Sequence, residues 1–220
     1  MFVVTLAVSA ASPADARTLV NSTFSRAGWG SLGGLSPSVL DLALSAASCA
    51  VESGVASRPE TLTVIDYSLP STTKRMWVYD LDDRKLLYHE LVAHGSGSGD
   101  TFARAFSNTA DSHQSSLGLF VTDQPYVGKN GYSLRMDGLE PGFNDRARDR
   151  AIVIHGAPYV SDGVARAQGR LGRSWGCPAV RAVIAKSLID RVQGGGLVFV
   201  YYPDPTWLAE SRLLACERAK

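Results

Sequence analysis

The chain has 220 residues, of which 45% are hydrophobic, and its 22 Lys and Arg against 21 Asp and Glu give a net charge of +1. This length and composition allow one good core and a small addition, which excludes two large domains. The small net charge gives no sign of the positive charge that binding to nucleic acid or to an anionic membrane requires. We therefore expect a small or polymeric substrate as the partner.

The N-terminus has the pattern of an export signal. Residues 2–11 form an apolar run of signal-peptide length, and residues 14–16 read Ala-Asp-Ala, a small-x-small cleavage site. We predict that residues 1–16 are the remnant of a signal peptide and that the protein is exported to the periplasm or cell envelope. The alternative is an ordinary N-terminal strand or buried segment, because no Lys or Arg precedes the run. No later apolar run approaches the length of a membrane span, so none is expected after leader removal.

Residues 17–58 are predicted to form an N-terminal linker and helix. The stretch 21–37 is rich in Gly and Ser, which is typical of a linker. Residues 38–51 then place their apolar side chains on one helical stripe, and Gly54 follows as a stop signal. We interpret this helix as a packing element.

From Thr61 onward the hydrophobic pattern changes to the period of strands. The predicted strands are residues 62–67, 76–81, 86–93, 117–122, 133–136, 151–155 and 197–202, and a last short helix is predicted over 206–216. The pattern therefore predicts a mostly β, β-rich α+β domain over residues 59–204, followed by a C-terminal helix and tail over 205–220.

The most informative functional signal is a thiol and an imidazole in two short motifs, residues 155–157 and 174–178. A catalytic Cys needs a base or a lowered pKa, because the thiolate is the nucleophile. Pro178 is favoured at a first helical position and apolar residues follow at helical spacing, so Cys177 is predicted at a helix N-terminus, where the dipole favours a thiolate. His155 ends a predicted buried strand and can face Cys177. The alternative is a small buried Cys with a structural His.

The residues around the thiol suggest further parts of a site. Gly176 is predicted to leave room beside the sulfur for a substrate carbonyl, and the backbone N–H groups of Gly176, Cys177 and Trp175 are candidates for an oxyanion hole. A backbone carbonyl can orient Nδ1 of His155, and such a group leaves no trace in a sequence.

Two other motifs are rejected. Residues 172–176 match G-x-S-x-G, but the residues before Ser174 are polar and all four histidines precede it, which excludes the α/β-hydrolase order. His89, Glu90 and His94 resemble a zinc-protease motif, but the second His comes one residue too late to share a helical face with the first. We therefore predict no metal site.

The two motifs together resemble a known family. Residues 155–157 with 159–161, followed by Gly-Arg-Ser-Trp-Gly-Cys-Pro-Ala-Val at 172–180, are similar to the murein L,D-transpeptidase (YkuD-like) catalytic domain, in the subgroup with Trp before Gly-Cys. Shorter similarities extend the resemblance over about Thr61 to Tyr202. The resemblance implies a mixed β-sheet sandwich or barrel with a few short helices, and no cofactor.

The resemblance also implies an activity on peptidoglycan stem peptides. In such enzymes the Cys attacks the carbonyl at the L-centre of diaminopimelate in a donor tetrapeptide, expels D-Ala and holds the peptide as a thioester until an amine of a second stem accepts it in a 3-3 cross-link. By this resemblance Cys177 is the nucleophile, His155 is the general base, Ser174 helps to orient the imidazole, and Gly176 lies beside the oxyanion site. Carbapenem-type β-lactams are expected to act as acylating inhibitors.

One departure from the family pattern concerns substrate recognition. The usual Arg two residues after the Cys is Ala179 here. Arg173, Arg170 and Arg181 remain candidates to bind a substrate carboxylate, because a guanidinium pairs with carboxylates through two parallel donors. The other predicted substrate contacts are pocket walls and cleft-lining imidazoles: Trp175, Tyr159, His94 and His113.

The sequence leaves two further functions open. The same Cys and His can give the acyl group to water, which would make an L,D-carboxypeptidase or endopeptidase, or they can be idle in a non-catalytic wall-binding module. The pairing of Cys49 with Cys216 is also open, because an oxidising compartment allows a disulfide that the spacing does not specify.

Overall fold

The computed structural model of the protein describes residues 24–216. The predicted signal-peptide remnant, residues 1–16, lies outside the described residues. The described strands are β1 (Thr61–Asp66), β2 (Met76–Asp80), β3 (Lys85–Glu90), β4 (Val92–Ala93), β5 (Gly118–Gly128), β6 (Gly131–Gly138), β7 (Val153–Ala157), β8 (Ala179–Arg181) and β9 (Leu197–Tyr201). The helices are α1 (Pro37–Glu52), α2 (Asp162–Gln168), α3 (Ala182–Val192), α4 (Pro205–Glu210) and α5 (Arg212–Ala215), with one 3-10 turn at Ser96–Ser98.

The strands form one mixed sheet in the order β3-β2-β1-β9-β5-β6-β7-β8-β4. Because β3 ends at Glu90 and β4 begins at Val92, the two edge strands of this sheet are consecutive in the chain, so the sheet curls into a nearly closed barrel. The guanidinium of Arg181 on β8 donates to both carboxylate oxygens of Glu90 at 2.8 and 2.7 Å and links the two edges. The prediction of a mostly β fold with a few short helices is confirmed.

Helix α1 packs on β1, β5 and β9 through its apolar stripe, as its sequence period predicts. Leu40, Ala43 and Ala47 on that stripe have no exposed surface. A disulfide joins Cys49 near the end of this helix to Cys216 just after α5, with 5.9 Å between their Cα atoms. The pairing that the sequence left open is therefore formed, and Cys177 is the free cysteine among the described residues.

Three departures from the predicted elements bear on the site. The strand predicted over 86–93 is split at Leu91 into β3 and β4. Strand β5 continues well beyond residue 122, because a register shift between Thr122 and Pro125 lets it accommodate the proline. Helix α2 was not predicted; its N-terminus is capped by the Ser161 hydroxyl, which accepts from the backbone N–H of Val164 at 3.1 Å.

None of the helices in residues 24–216 is long and apolar enough to cross a bilayer.

Candidate active site

His155 and Cys177 are brought together by two neighbouring parallel strands. His155 lies in β7 opposite Ala179 of β8, and Cys177 precedes Ala179 by two residues. Both side chains line one pocket with a volume of about 290 Å³. The other residues that line it are Lys129, Asn130, Tyr159, Arg173, Ser174 and Trp175. The arrangement therefore joins the thiol and the imidazole in a pocket that a peptide can approach.

The predicted helix N-terminus at Cys177 is wrong. The chain after Pro178 forms the short strand β8, in which Val180 pairs with Gly156 of β7 and with Val92 of β4. Helix α3 begins only at Ala182, beyond the strand. The dipole of α3 falls off within its first turn and so gives little support to a thiolate at Cys177.

The environment of Cys177 keeps its thiol protonated. The residue is 7% exposed, and Sγ donates to the carbonyl oxygen of Ala151 at 3.6 Å. Burial raises the pKa of the thiol above its usual 9.0, and the backbone N–H of Val153, the charge of Arg150 and its own N–H offset this only in part. A neutral thiol at physiological pH needs a base before it can attack a carbonyl.

His155 meets that need. Its Nδ1 lies 3.0 Å from the carbonyl oxygen of Gly156. Because a carbonyl can only accept, this contact assigns the proton of the neutral imidazole to Nδ1 and leaves a lone pair on Nε2. Burial lowers the pKa of the imidazole below its usual 6.5, so the ring is neutral at physiological pH. His155 is thus oriented by a main-chain carbonyl and prepared to accept a proton.

Ser174 shapes the turn that presents the thiol. Its hydroxyl donates to the carbonyl oxygen of Cys177 at 2.6 Å and accepts from the backbone N–H of Gly176 at 3.1 Å. Its backbone N–H donates to the carbonyl oxygen of His94 at 3.0 Å, which ties the turn to the end of β4. These contacts place the hydroxyl in the turn that carries Cys177, whereas the family resemblance had suggested that Ser174 helps to orient the imidazole.

Gly176 is required by the backbone rather than by a substrate. It has a φ of +114°, and a Cβ there would lie 2.8 Å from both the carbonyl oxygen of Gln114 and Cδ1 of Ile152. The space beside it is thus filled by protein, which corrects the expectation that the glycine leaves room for a substrate carbonyl. Because the Gly176 N–H is bound by Ser174, the oxyanion-hole candidates reduce to the N–H groups of Trp175 and Cys177.

Trp175 forms an exposed wall of the pocket. It is 68% exposed, and its ring stacks on the imidazole of His113 with centroids 4.8 Å apart and planes 7° apart. The Nζ atom of Lys129 lies 5.6 Å from the centroid of the indole. Lys129 and Asn130 form the tip of the β5–β6 hairpin, so three separate segments build this wall. The Asn130-Gly131 turn signal could have predicted the hairpin, but not where its tip lies.

The arginines offered for a substrate carboxylate have different surroundings. Arg173 lines the pocket, and its Nη1 donates to Oδ1 of Asp100 at 2.8 Å. Arg170 lies 4.0 Å from the same carboxylate. Arg181 is occupied by Glu90 at the barrel edge. Arg173 therefore lies at the pocket, whereas Arg181 forms a structural ion pair with Glu90.

His94 does not reach the pocket. It has no exposed surface, its Nδ1 lies 2.7 Å from Nη2 of Arg75, and its Nε2 lies 3.3 Å from the carbonyl oxygen of Gly99. Burial lowers its pKa to about 4, and the nearby charge of Arg75 adds to this effect. The expectation of a substrate contact is therefore corrected to an interior packing role, because the end of β4 turns into the core.

The chain is similar to an L,D-transpeptidase from Mycobacterium smegmatis, with 16% identity and a TM-score of 0.41, over 66% of this chain and 59% of that one. It is also similar to an L,D-transpeptidase from Stackebrandtia nassauensis, with 16% identity and a TM-score of 0.40, over 86% and 92%. The chain thus spans about 59% of the length of the mycobacterial structure. No curated protein matches the sequence significantly.

A family model gives the decisive match. The L,D-transpeptidase catalytic domain matches residues 32–201. This segment includes all nine strands described above together with His155 and Cys177. The chain therefore belongs to the L,D-transpeptidase catalytic domain family.

Proposed function

We propose that the protein is a cysteine L,D-transpeptidase that acts on peptidoglycan stem tetrapeptides through a thioester on Cys177. One observation carries the proposal: Cys177 and His155 line the same pocket, and the Gly156 carbonyl holds the imidazole in the tautomer with Nε2 unprotonated. Membership of the family supports the substrate class. Such a substrate lies in the cell envelope, which agrees with the export signal predicted for residues 1–16.

The acylation half-reaction follows from the protonation states of the two groups. Nε2 of His155 takes the thiol proton as Sγ of Cys177 attacks the carbonyl carbon at the L-centre of diaminopimelate. The backbone N–H groups of Cys177 and Trp175 donate hydrogen bonds to the oxyanion of the tetrahedral intermediate. When the intermediate collapses, the C–N bond to the terminal D-Ala breaks and His155 returns the proton to the leaving amine. The stem peptide remains on the sulfur as a thioester.

The second half-reaction transfers the acyl group to an amine of another stem. The amine attacks the thioester carbonyl, gives a proton to His155, and forms the new amide as the C–S bond breaks. The sulfur leaves as a thiolate and recovers the proton from the imidazole. The product is a 3-3 cross-link. Water in place of the amine would give a tripeptide instead.

Two cations at the pocket are suited to bind the carboxylates of the stem peptide. Arg173 is 28% exposed and pairs with the 79% exposed carboxylate of Asp100, which a substrate carboxylate can displace. Lys129 reaches the pocket from the hairpin tip. We infer that these two side chains replace the family Arg that is absent at Ala179.

Product masses test the proposal. Purified protein is incubated with a tetrapeptide muropeptide, and the products are weighed by mass spectrometry. A dimer that has lost one D-Ala supports transfer, and tripeptide alone would assign hydrolysis. A wall-binding module would yield neither product while still binding sacculi. A Cys177→Ala variant serves as the control and should give no product.

A further inference from the structure

Arg150 is a half-buried arginine beneath the catalytic turn, in the segment just before β7. Its guanidinium donates to four oxygens of the loop that spans residues 107–116. These are the carbonyl oxygen of Ser107 at 2.7 Å, Oγ of Ser116 at 2.5 Å, Oγ of Ser112 at 3.2 Å and the carbonyl oxygen of Gln114 at 2.6 Å. The side chain therefore fastens this loop, which carries His113, under the pocket.

All four acceptors of Arg150 are neutral. In the described part of the chain, no ion pair between its guanidinium and a carboxylate is present, and the charged groups that act on it are Cys177 and Arg146. An arginine remains protonated under all ordinary conditions. A positive charge that is partly buried and not neutralised by a carboxylate acts strongly on its surroundings, because the protein screens it less than water does.

The position of this charge is next to the nucleophile. A Cβ built on Gly176 would lie 3.5 Å from Nη2 of Arg150 and 2.8 Å from the carbonyl oxygen of Gln114 that Nη2 binds. On the other side, Sγ of Cys177 contacts the carbonyl oxygen of Ala151, the residue after Arg150. The guanidinium therefore lies against the turn that contains Gly176, and the sulfur lies against the residue that follows Arg150.

We propose that Arg150 supplies the positive charge that stabilises the Cys177 thiolate when it attacks the substrate and when it leaves the thioester. It acts across the Gly176 turn and does not touch the substrate, so it is a positioning residue. The sequence had predicted that a helix dipole stabilises the thiolate, but strand β8 follows Cys177 in place of a helix. Arg150 provides this stabilisation instead. The inference rests on the proposed role of Cys177 as nucleophile.

The other titratable groups around the sulfur do not supply this charge. Burial lowers the pKa of His155 and keeps it neutral before the reaction. The phenols of Tyr67 and Tyr159 are neutral as well, because burial raises the pKa of each to about 12. Lys129 is exposed, so water screens its charge, and the charge of Arg173 is paired with the carboxylate of Asp100 at 2.8 Å.

The test is the pH dependence of Cys177 alkylation by iodoacetamide in the unreduced protein. The Cys49–Cys216 disulfide leaves one free thiol among the described residues, so the rate reports on Cys177. We expect Arg150→Met to raise the apparent pKa of the thiol by about one unit and to slow alkylation roughly tenfold at neutral pH. A folded Arg150→Met protein with the wild-type profile would overturn the inference.

Two further variants separate charge from loop anchoring. Arg150→Lys keeps the charge but loses part of the hydrogen bonding, and Ser112→Ala removes one acceptor without a change in charge. Both should keep the wild-type thiol pKa even where their melting temperature falls. If either raises the thiol pKa as Arg150→Met does, loop packing and not charge controls the thiol. Alkylation by iodoacetamide needs no stem peptide. The effect of Arg150 on the thiol pKa can therefore be measured even if the muropeptide assay shows no transpeptidation.

Discussion

The Nδ1 atom of His155 lies 3.0 Å from the carbonyl oxygen of Gly156, the next residue along β7. A main-chain carbonyl cannot be protonated in the working range of pH, so it holds the imidazole in one tautomer throughout. Cys177 lines the same pocket with a thiol whose pKa is raised. The pair is therefore a neutral thiol and a neutral imidazole at rest, and in the proposed mechanism the proton moves only when the substrate is attacked.

The pH dependence of acylation tests this resting state. The base form of His155 is present above its lowered pKa and is lost as the pH falls through it, so the rate of acylation by a carbapenem should rise through a pKa below 6.5. It should then stay level across neutral pH, because the thiol titrates only above 9.0. Stopped-flow or mass-resolved acylation rates measure the profile. An inflection between these two values would indicate a thiolate–imidazolium pair instead.

Gly176→Ala should damage both the fold and the activity. A φ of +114° strains an alanine, and its Cβ would clash with Gln114 and Ile152. We expect a loss of about 1–3 kcal/mol in the free energy of unfolding, measured by urea denaturation, together with loss of acylation. Gly163→Ala in α2 is the matched control, because its Cβ meets only Oγ of Ser161 at 3.7 Å. Equal stability of the two variants would contradict the strained role of Gly176.

Ser174→Ala should slow acylation without removing the nucleophile. The change leaves the backbone N–H of Gly176 without its acceptor in a buried turn, which costs about 1–3 kcal/mol. The turn that presents Cys177 loosens as a result. The expected outcome is a lower acylation rate with an unchanged pKa of His155 in the pH profile. Ser187→Ala, which removes a hydroxyl bound to the carbonyl oxygen of Ile184 on α3, is the control and should behave as wild type.

Lys129→Ala should weaken substrate binding and leave the chemistry intact. Lys129 lies at the hairpin tip over the indole of Trp175, where it can meet a stem-peptide carboxylate. An exposed ion pair contributes up to about 1 kcal/mol, so KM should rise roughly twofold to fivefold while kcat stays the same. Lys85→Ala, an exposed lysine on β3, provides the control. A drop in kcat with unchanged KM would remove Lys129 from substrate recognition.

The sequence predicts the fold best where a hydrophobic periodicity continues over many residues. The stripe of α1 and the alternation that begins at Thr61 predict the helix and most strands to within a few residues. Strand β8 escapes prediction because three residues are too few to show a period, and the apolar spacing after Cys177 also fits a helix that begins at Ala182. That ambiguity produced the wrong helix N-terminus.

The sequence predicts only the part of the site that lies in local motifs. The Cys and His motifs are short and local, so both can be recognised along the chain. Arg150 and Lys129 come from loops whose final positions depend on the closure of the whole sheet, and an isolated Arg or Lys in a polar loop carries no signal of its own. For His94 the sequence predicts a site residue that the structure does not place at the site. An imidazole near a glycine-rich loop suggests a cleft, but the fold buries His94 completely.

Intact-mass spectrometry after incubation with a carbapenem tests the central claim most directly. The wild-type protein should gain the mass of one inhibitor molecule, Cys177→Ala should gain none, and His155→Ala should be labelled roughly a hundredfold or more slowly. A wild-type protein that stays unlabelled, or a Cys177→Ala variant that gains the same mass, would contradict the assignment of Cys177 as the nucleophile.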